Sequence, residues 1–137
     1  MRVFVDTNVF VYAHDRGEPA KRDVALALLR APGAEVVISA QVLAEFFVAV
    51  TAKLATPLPV DVAAAQVEVL SQLPVVPIDR DVVGEAIELH RSASLSYWDA
   101  AIVAAARRAG CATLLTEDLA DGQAIAGVAV RNPFASS

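Results

Sequence analysis

The chain has 137 residues, 56% hydrophobic and 20% charged, which suits one hydrophobic core and excludes a disordered segment. Sixteen acids against eleven bases give a net charge of −5, so nucleic acid cannot be gripped by overall positive charge; bound metal ions, a local basic patch or a basic protein partner would have to attract it. The one cysteine, Cys111, excludes an internal disulfide and a cysteine-based zinc site, and no apolar run approaches the ~20 residues of a membrane span.

Residues 2–5, Arg-Val-Phe-Val, predict a short strand. Asp6-Thr7-Asn8 ends it with residues suited to capping, and a short helix follows over 7–14. Asp6 also interrupts the apolar core that a signal peptide would need, so a cytoplasmic address is expected. Pro19 suits a first helical turn, opening a helix over 20–30 that Pro32-Gly33 closes. Val36-Val37-Ile38 is a second strand, and Ser39 caps a long helix over 40–54. Pro57 and Pro59 break the chain before a helix over 60–72. Val75 to Ile78 is a third extended piece, and Asp79 caps a helix that runs to residue 92. Ser96 opens a helix over 97–109, which Gly110 ends in the left-handed manner. Ala112 to Leu115 is a fourth strand and Val128 to Val130 a fifth. No repeat or Gly/Ser/Pro-rich linker divides the chain, so one domain over 1–137 is expected. Strands alternating with helices predict an α/β fold, with a central, mainly parallel sheet of four to five strands flanked by helices on both faces. Ligands in such folds bind beyond the carboxyl ends of the strands. Those ends hold Asp6 and the turn Thr116-Glu117-Asp118.

Three carboxylates stand apart in charge-poor stretches. Asp6 is the only charged residue between Arg2 and Asp15, Glu45 the only one between Glu35 and Lys53, and Asp99 the only one between Arg91 and Arg107. An ionised carboxylate among apolar neighbours loses hydration and needs a compensating cap, cation or metal. Asp6 could simply cap the first helix. Asp99 lies three residues after Ser96, which fits a capping box. Glu45 falls inside a helix, where no cap explains it, although it could reach solvent. Carboxylates that converge need a cation between them, and hard divalent ions prefer oxygen ligands. Asp6, Glu45, Asp99 and Asp118 would suffice for one or two such ions.

The same residues lie in four ordered motifs. Val-Phe-Val-Asp6-Thr7-Asn8-Val9, Ser39-Ala-Gln-Val-Leu-Ala-Glu45-Phe, Ser94-Leu-Ser-Tyr-Trp-Asp99-Ala-Ala-Ile and Leu114-Leu-Thr116-Glu-Asp118-Leu together resemble the PIN-domain family, in particular VapC-type toxins, over essentially the whole chain. The resemblance implies a PIN-like fold and Mg2+- or Mn2+-dependent endoribonuclease activity, in which Asp6, Glu45, Asp99 and Asp118 hold the metal. It also implies RNA as substrate and a cognate antitoxin as partner. A homodimer is expected, and the mean hydropathy of +0.52 hints at buried interfaces. Thr7, Asn8 and Thr116 either position ligands and carboxylates or cap locally. Asp121 is a candidate acid behind the metal ligands, or a plain turn residue before Gly122. Arg16, Lys21 and Arg22 are the nearest basic cluster to the first motif, able to guide RNA phosphates or simply to solvate helix ends. Tyr97 and Trp98 could stack on a base, but core packing beside Asp99 is the expectation. His14 and His90 receive no role, and Cys111 reads as a small buried residue. In the tail, Phe134 either packs or frays.

Two other readings compete. A phosphoryl-accepting α/β protein would use a downstream lysine, yet the last lysine is Lys53. A non-catalytic PIN-fold module that only binds RNA or protein would keep the acids without turnover.

Overall fold

The structure is a computed structural model that describes residues 1–135; Ser136 and Ser137 of the tail lie outside the described residues. In chain order the elements are β1 (Arg2–Val5), α1 (Thr7–Tyr12), α2 (Pro19–Arg30), β2 (Glu35–Ser39), α3 (Ala40–Ala52), α4 (Val60–Leu70), β3 (Val75–Val76), α5 (Arg80–Ala93), α6 (Tyr97–Arg108), β4 (Thr113–Leu115), β5 (Ala124–Ile125) and β6 (Val128–Arg131).

Helices begin where short polar side chains can accept an orphan backbone N–H. Asp6 caps α1 through the Thr7 N–H, Ser39 caps α3 through Val42, Asp79 caps α5 through Val82, and Ser96 caps α6 through Asp99. Pro19 opens α2 as expected. Helix α1 stops at Tyr12, two residues short of the expected end, where the chain turns through Ala13 and His14.

The strands lie in the order β3-β2-β1-β4-β6-β5. All neighbours are parallel except β5, which runs antiparallel to β6. The sheet therefore grows from β1 to one side through β2 and β3, and to the other through β4 and β6. The change of direction falls between β1 and β4, where α/β sheets leave a crevice for ligands. In the β1–β4 register Val5 faces Leu115, and the Asp6 N–H donates to the Leu115 carbonyl at 3.0 Å. Asp6 and Thr116, each the first residue after its strand, are thereby delivered side by side.

The sequence pattern accounts for five of the six strands. The sixth, β5, is two residues long and too short to carry a period. It pairs with β6 through the two-residue turn Ala126-Gly127, and both turn residues have positive φ, 51° and 85°. Such a turn matches the twist of a hairpin, and glycine suits its second position. Ala126 adopts the same region at some cost, because its Cβ crowds the following carbonyl.

Helix α6 lies against β2, β4 and β6 and packs on α5. Ala100 to Ala106 are all buried, seven successive residues, so this helix is enclosed on every side. Alanines let neighbouring backbones come close. Phe4, Phe46, Ile38 and Leu114 are the largest fully buried side chains of the core, each contributing about 1.5–3 kcal/mol of burial free energy. Phe46 follows Glu45 directly, so its anchorage fixes the face of α3 that carries the acid. Cys111 is buried, as its setting suggested. Phe134 packs on the core and edge-on to Tyr12, with ring centroids 4.9 Å apart.

Candidate active site

Asp6 is the deepest of the four acids, only 4% exposed. Its Oδ1 accepts from the Thr7 backbone N–H at 2.7 Å and its Oδ2 from the Thr116 hydroxyl at 2.8 Å. Burial raises its pKa from 3.8 to about 6; the Thr7 and Thr116 hydrogen bonds oppose the rise, and the charges of Asp118 and Glu45 add to it. Asp6 therefore caps the helix with one oxygen and meets the neighbouring strand end with the other.

Thr116 is fully buried and is the hub of the site. Besides donating to Asp6, its oxygen accepts from Asn8 Nδ2 at 3.2 Å and from the Asp118 N–H at 3.0 Å. Asn8 Nδ2 also donates to Asp118 Oδ2 at 3.2 Å, and its Oδ1 accepts from the Glu117 N–H at 3.4 Å. Asn8, in the first turn of α1, thus clamps the turn after β4. Between positioning and local capping, the bonds of Asn8 and Thr116 are those of positioning residues. Thr7 has its hydroxyl 3.5 Å from Glu45 Oε2, the outer limit of a hydrogen bond.

Glu45 is exposed, so its helix position is explained in part by access to water. Its Oε1 accepts from Gln41 Nε2 at 2.5 Å, and the same amide donates to the Trp98 carbonyl at 3.2 Å. Gln41 therefore ties the Glu45 helix to the Asp99 helix. Sequence reading passed it over, although a Gln and a Glu spaced i, i+4 on one helix face can bond. Asp99 donates its backbone N–H to Ser96 Oγ at 3.1 Å. No hydrogen bond among the described residues uses the Asp99 carboxylate, so the capping box is only half made and the side chain is left for other work. Asp118 has a raised pKa, chiefly through desolvation and then through the Asp99 charge. All four acids are thereby linked in one chain of charge interactions, Glu45–Asp6–Asp118–Asp99.

None of the four belongs to an ion pair among the described residues. Nor is any group of three or more His, Cys, Asp or Glu among the described residues arranged to hold a metal ion. The acids share a site without closing on a common point.

Glu45 and Asp118 open onto a cleft of about 1010 Å³, in which Lys53 is the only basic lining residue among the described residues. Arg16, Lys21 and Arg22 do not line it. Lys21 is engaged elsewhere: its Nζ lies 3.1 Å from Glu117 Oε2 and 3.1 Å from the Tyr12 hydroxyl, which donates to Glu117 Oε1 at 2.6 Å. The ammonium also sits 4.7 Å from the Tyr12 ring centroid. Tyr12 and then Glu117 hold the Lys21 pKa well above its usual value. This clamp neutralises the acid between Thr116 and Asp118. Lys21→Met is expected to lower the melting temperature by a few degrees while Arg16→Glu leaves it unchanged, as thermal melts would show. Asp121 accepts from the Asn132 N–H at 2.9 Å, the turn role, and makes no hydrogen bond to the four acids. His14 lies edge-on to Phe46 and His90 bonds the Leu95 carbonyl; neither touches the acids.

Trp98 overturns an expectation. It is 65% exposed, whereas Tyr97, which lines the same cleft, is half-buried against the core. In sequence the two aromatics look alike; in the first turn of α6 one is half-buried and the other stands out in water.

Parallel strands with carboxylates gathered at the switch point define an α/β protein with an acidic cleft. The PIN domain model matches residues 3–120, and the chain belongs to the PIN domain family. No curated protein matches it by sequence. Among solved structures it is similar to a toxin–antitoxin complex from Klebsiella pneumoniae, with 22% identity over 96% of this chain and 98% of the other and a TM-score of 0.73. FitAB bound to a DNA fragment gives 23% identity, 98% and 97% coverage and a TM-score of 0.71. Mycobacterium tuberculosis VapC20, a toxin that cleaves the sarcin–ricin loop, gives 23%, 82% and 86%, and 0.66. At such identities the likeness is one of fold.

Proposed function

We propose that the chain is a metal-dependent endoribonuclease and the toxin of a VapBC-type toxin–antitoxin pair, acting in the cytoplasm. The observation that carries the proposal is Asp6: a carboxylate almost wholly removed from water, beside two further acids, with no cationic partner among the described residues. Such a group is costly unless a cation joins it. The all-oxygen donor set of Asp6, Glu45, Asp99 and Asp118 suits Mg2+ or Mn2+ rather than a soft metal. Such an ion supplies water of lowered pKa and neutralises charge on the phosphate.

The residues of the chain do the rest. Thr116 and Asn8 hold Asp118 against the β1 end. Gln41 holds Glu45 toward the cleft. The Tyr12–Lys21 clamp keeps Glu117 from adding its charge to the site. Water attacks rather than the ribose 2′-hydroxyl, so the products are a 5′-phosphate and a 3′-hydroxyl. A basic side chain of an antitoxin would satisfy the same acids in place of metal, and a homodimer is expected, which light scattering would measure.

Purified protein is expected to cut structured RNA with Mg2+ or Mn2+, to stop with EDTA, and to lose cleavage on Asp99→Asn with its melting temperature kept. A 2′,3′-cyclic phosphate product would contradict the mechanism. The second reading, a non-catalytic PIN-fold module that binds RNA or protein, is favoured by one observation: the acids do not close on a common point. RNA bound but uncut under every metal would select it.

A further inference from the structure

We propose that Trp98 is the platform on which an unpaired base of the substrate stacks, so that the RNA enters the cleft as a splayed single strand. The proposal rests on the nuclease reading, which supplies RNA as the substrate.

A tryptophan left 65% exposed keeps a large apolar ring in water. Stacking a base on it removes that surface from solvent, and every base offers a π face. Trp98 lines the same cleft as Glu45 and Asp118 and directly precedes Asp99. Its position is fixed from two directions. The Trp98 carbonyl accepts from Gln41, the residue that holds Glu45. Its ring meets the core-packed Tyr97 edge-on, with centroids 5.0 Å apart and planes at 81°. A braced ring loses little freedom when a base lands on it. Lys53, in the same cleft, offers a phosphate contact. Paired bases keep their faces stacked inside a duplex, whereas loops, bulges and ends can present theirs to an aromatic side chain. The ring shares its cleft with Glu45, Asp118 and Lys53 as well as with apolar side chains such as Val48 and Leu54, and the nuclease reading is what brings RNA to those acids.

Trp98 is the only tryptophan, so intrinsic emission reports this position alone. The full chain, kept metal-free with EDTA, is titrated with a single-stranded oligoribonucleotide and with the same sequence in a duplex. Saturable quenching by the single strand, and much weaker quenching by the duplex, is expected. With Mg2+, Trp98→Ala should raise KM for the single strand roughly tenfold and change kcat by less than about twofold, while Trp98→Phe recovers most of the loss. No quenching, together with an unchanged KM in Trp98→Ala, would overturn the platform and leave the nuclease standing. Quenching by a single strand that is never cut would uphold the platform and sink the nuclease. Emission that shifts with protein concentration but not with RNA would assign the ring to contact with a second copy and overturn the proposal.

Discussion

Asp6→Asn is expected to abolish RNA cleavage and, in the metal-free protein at pH 8, to raise the melting temperature. The two effects share one cause. Burial lifts the Asp6 pKa from 3.8 to about 6, so the fold prefers the protonated form. The stability that this preference contributes is full below pH 3.8 and is lost as pH rises through 6. Above that, the ionised carboxylate costs about 3 kcal/mol by linkage. An amide carries no charge and escapes the cost. It recovers only part of it, because its nitrogen must face either the Thr7 N–H or a Thr116 oxygen that already accepts two bonds. A net gain of about 1–2 kcal/mol, or about 3–8 °C, is expected at pH 8 and none at pH 4. Mg2+ should stabilise the parent protein and not the variant. Cleavage should fall by more than the roughly 10–100-fold that loss of a supporting partner costs. Melts with and without Mg2+ at the two pH values, beside a cleavage assay, check all of this. A lower melting temperature for the variant at pH 8 would remove the view that Asp6 is held ionised at a cost.

Thr116→Val should lower stability and activity together. Valine keeps the shape and removes the oxygen on which three residues meet. Asp6 Oδ2 loses its donor, while Asn8 Nδ2 and the Asp118 N–H lose their acceptor. Unsatisfied groups at a buried site cost about 1–3 kcal/mol each, less where water reaches them; about 2–4 kcal/mol in total is expected. The Thr116 hydrogen bond also lowers the Asp6 pKa. Without it, the pH at which Asp6 ionises should move above 6, and cleavage should fall about 10–100-fold. Thr116→Ser restores the hydroxyl and should restore most of both. Denaturant unfolding and a pH–rate profile read the two effects separately. A valine variant as stable and active as its parent would show that the hub does not position the acids.

The parts of this molecule that could be read from its sequence are those whose causes are local. Asp6, Ser39, Asp79 and Ser96 each cap a helix within three residues of themselves, and each cap forms as expected. Alternation of strands and helices is enough to foresee a parallel sheet, and the strand ends are enough to say where ligands would lie. What escaped depends on partners far apart in the chain. The Lys21–Glu117 pair spans 96 residues and the Gln41–Trp98 bond spans 57. Lys21 therefore looked like a free cation near the first motif when it is a clamp on the fourth. Trp98 was misjudged for a different reason. Its place at the start of an apolar helix, beside Asp99, suggests core packing, yet a helix that is buried through its later turns still turns one residue of its first turn outward. The half-made capping box at Asp99 shows the limit of a motif: spacing foretells the backbone bond and says nothing of where the carboxylate goes.

The hub at Thr116 also has a consequence for the order of events during synthesis. The Thr116 N–H donates to the carbonyl of Arg131 at 3.1 Å, so the strand that bears it is held on its outer side by β6. Asp6 and Asn8 are made early, yet their partners in the turn after β4, and the strand that braces that turn, leave the ribosome more than a hundred residues later. A nascent chain released before Arg131 carries the acids but not their scaffold. The early acids therefore gain their hydrogen-bonded scaffold only once β6 has paired with β4.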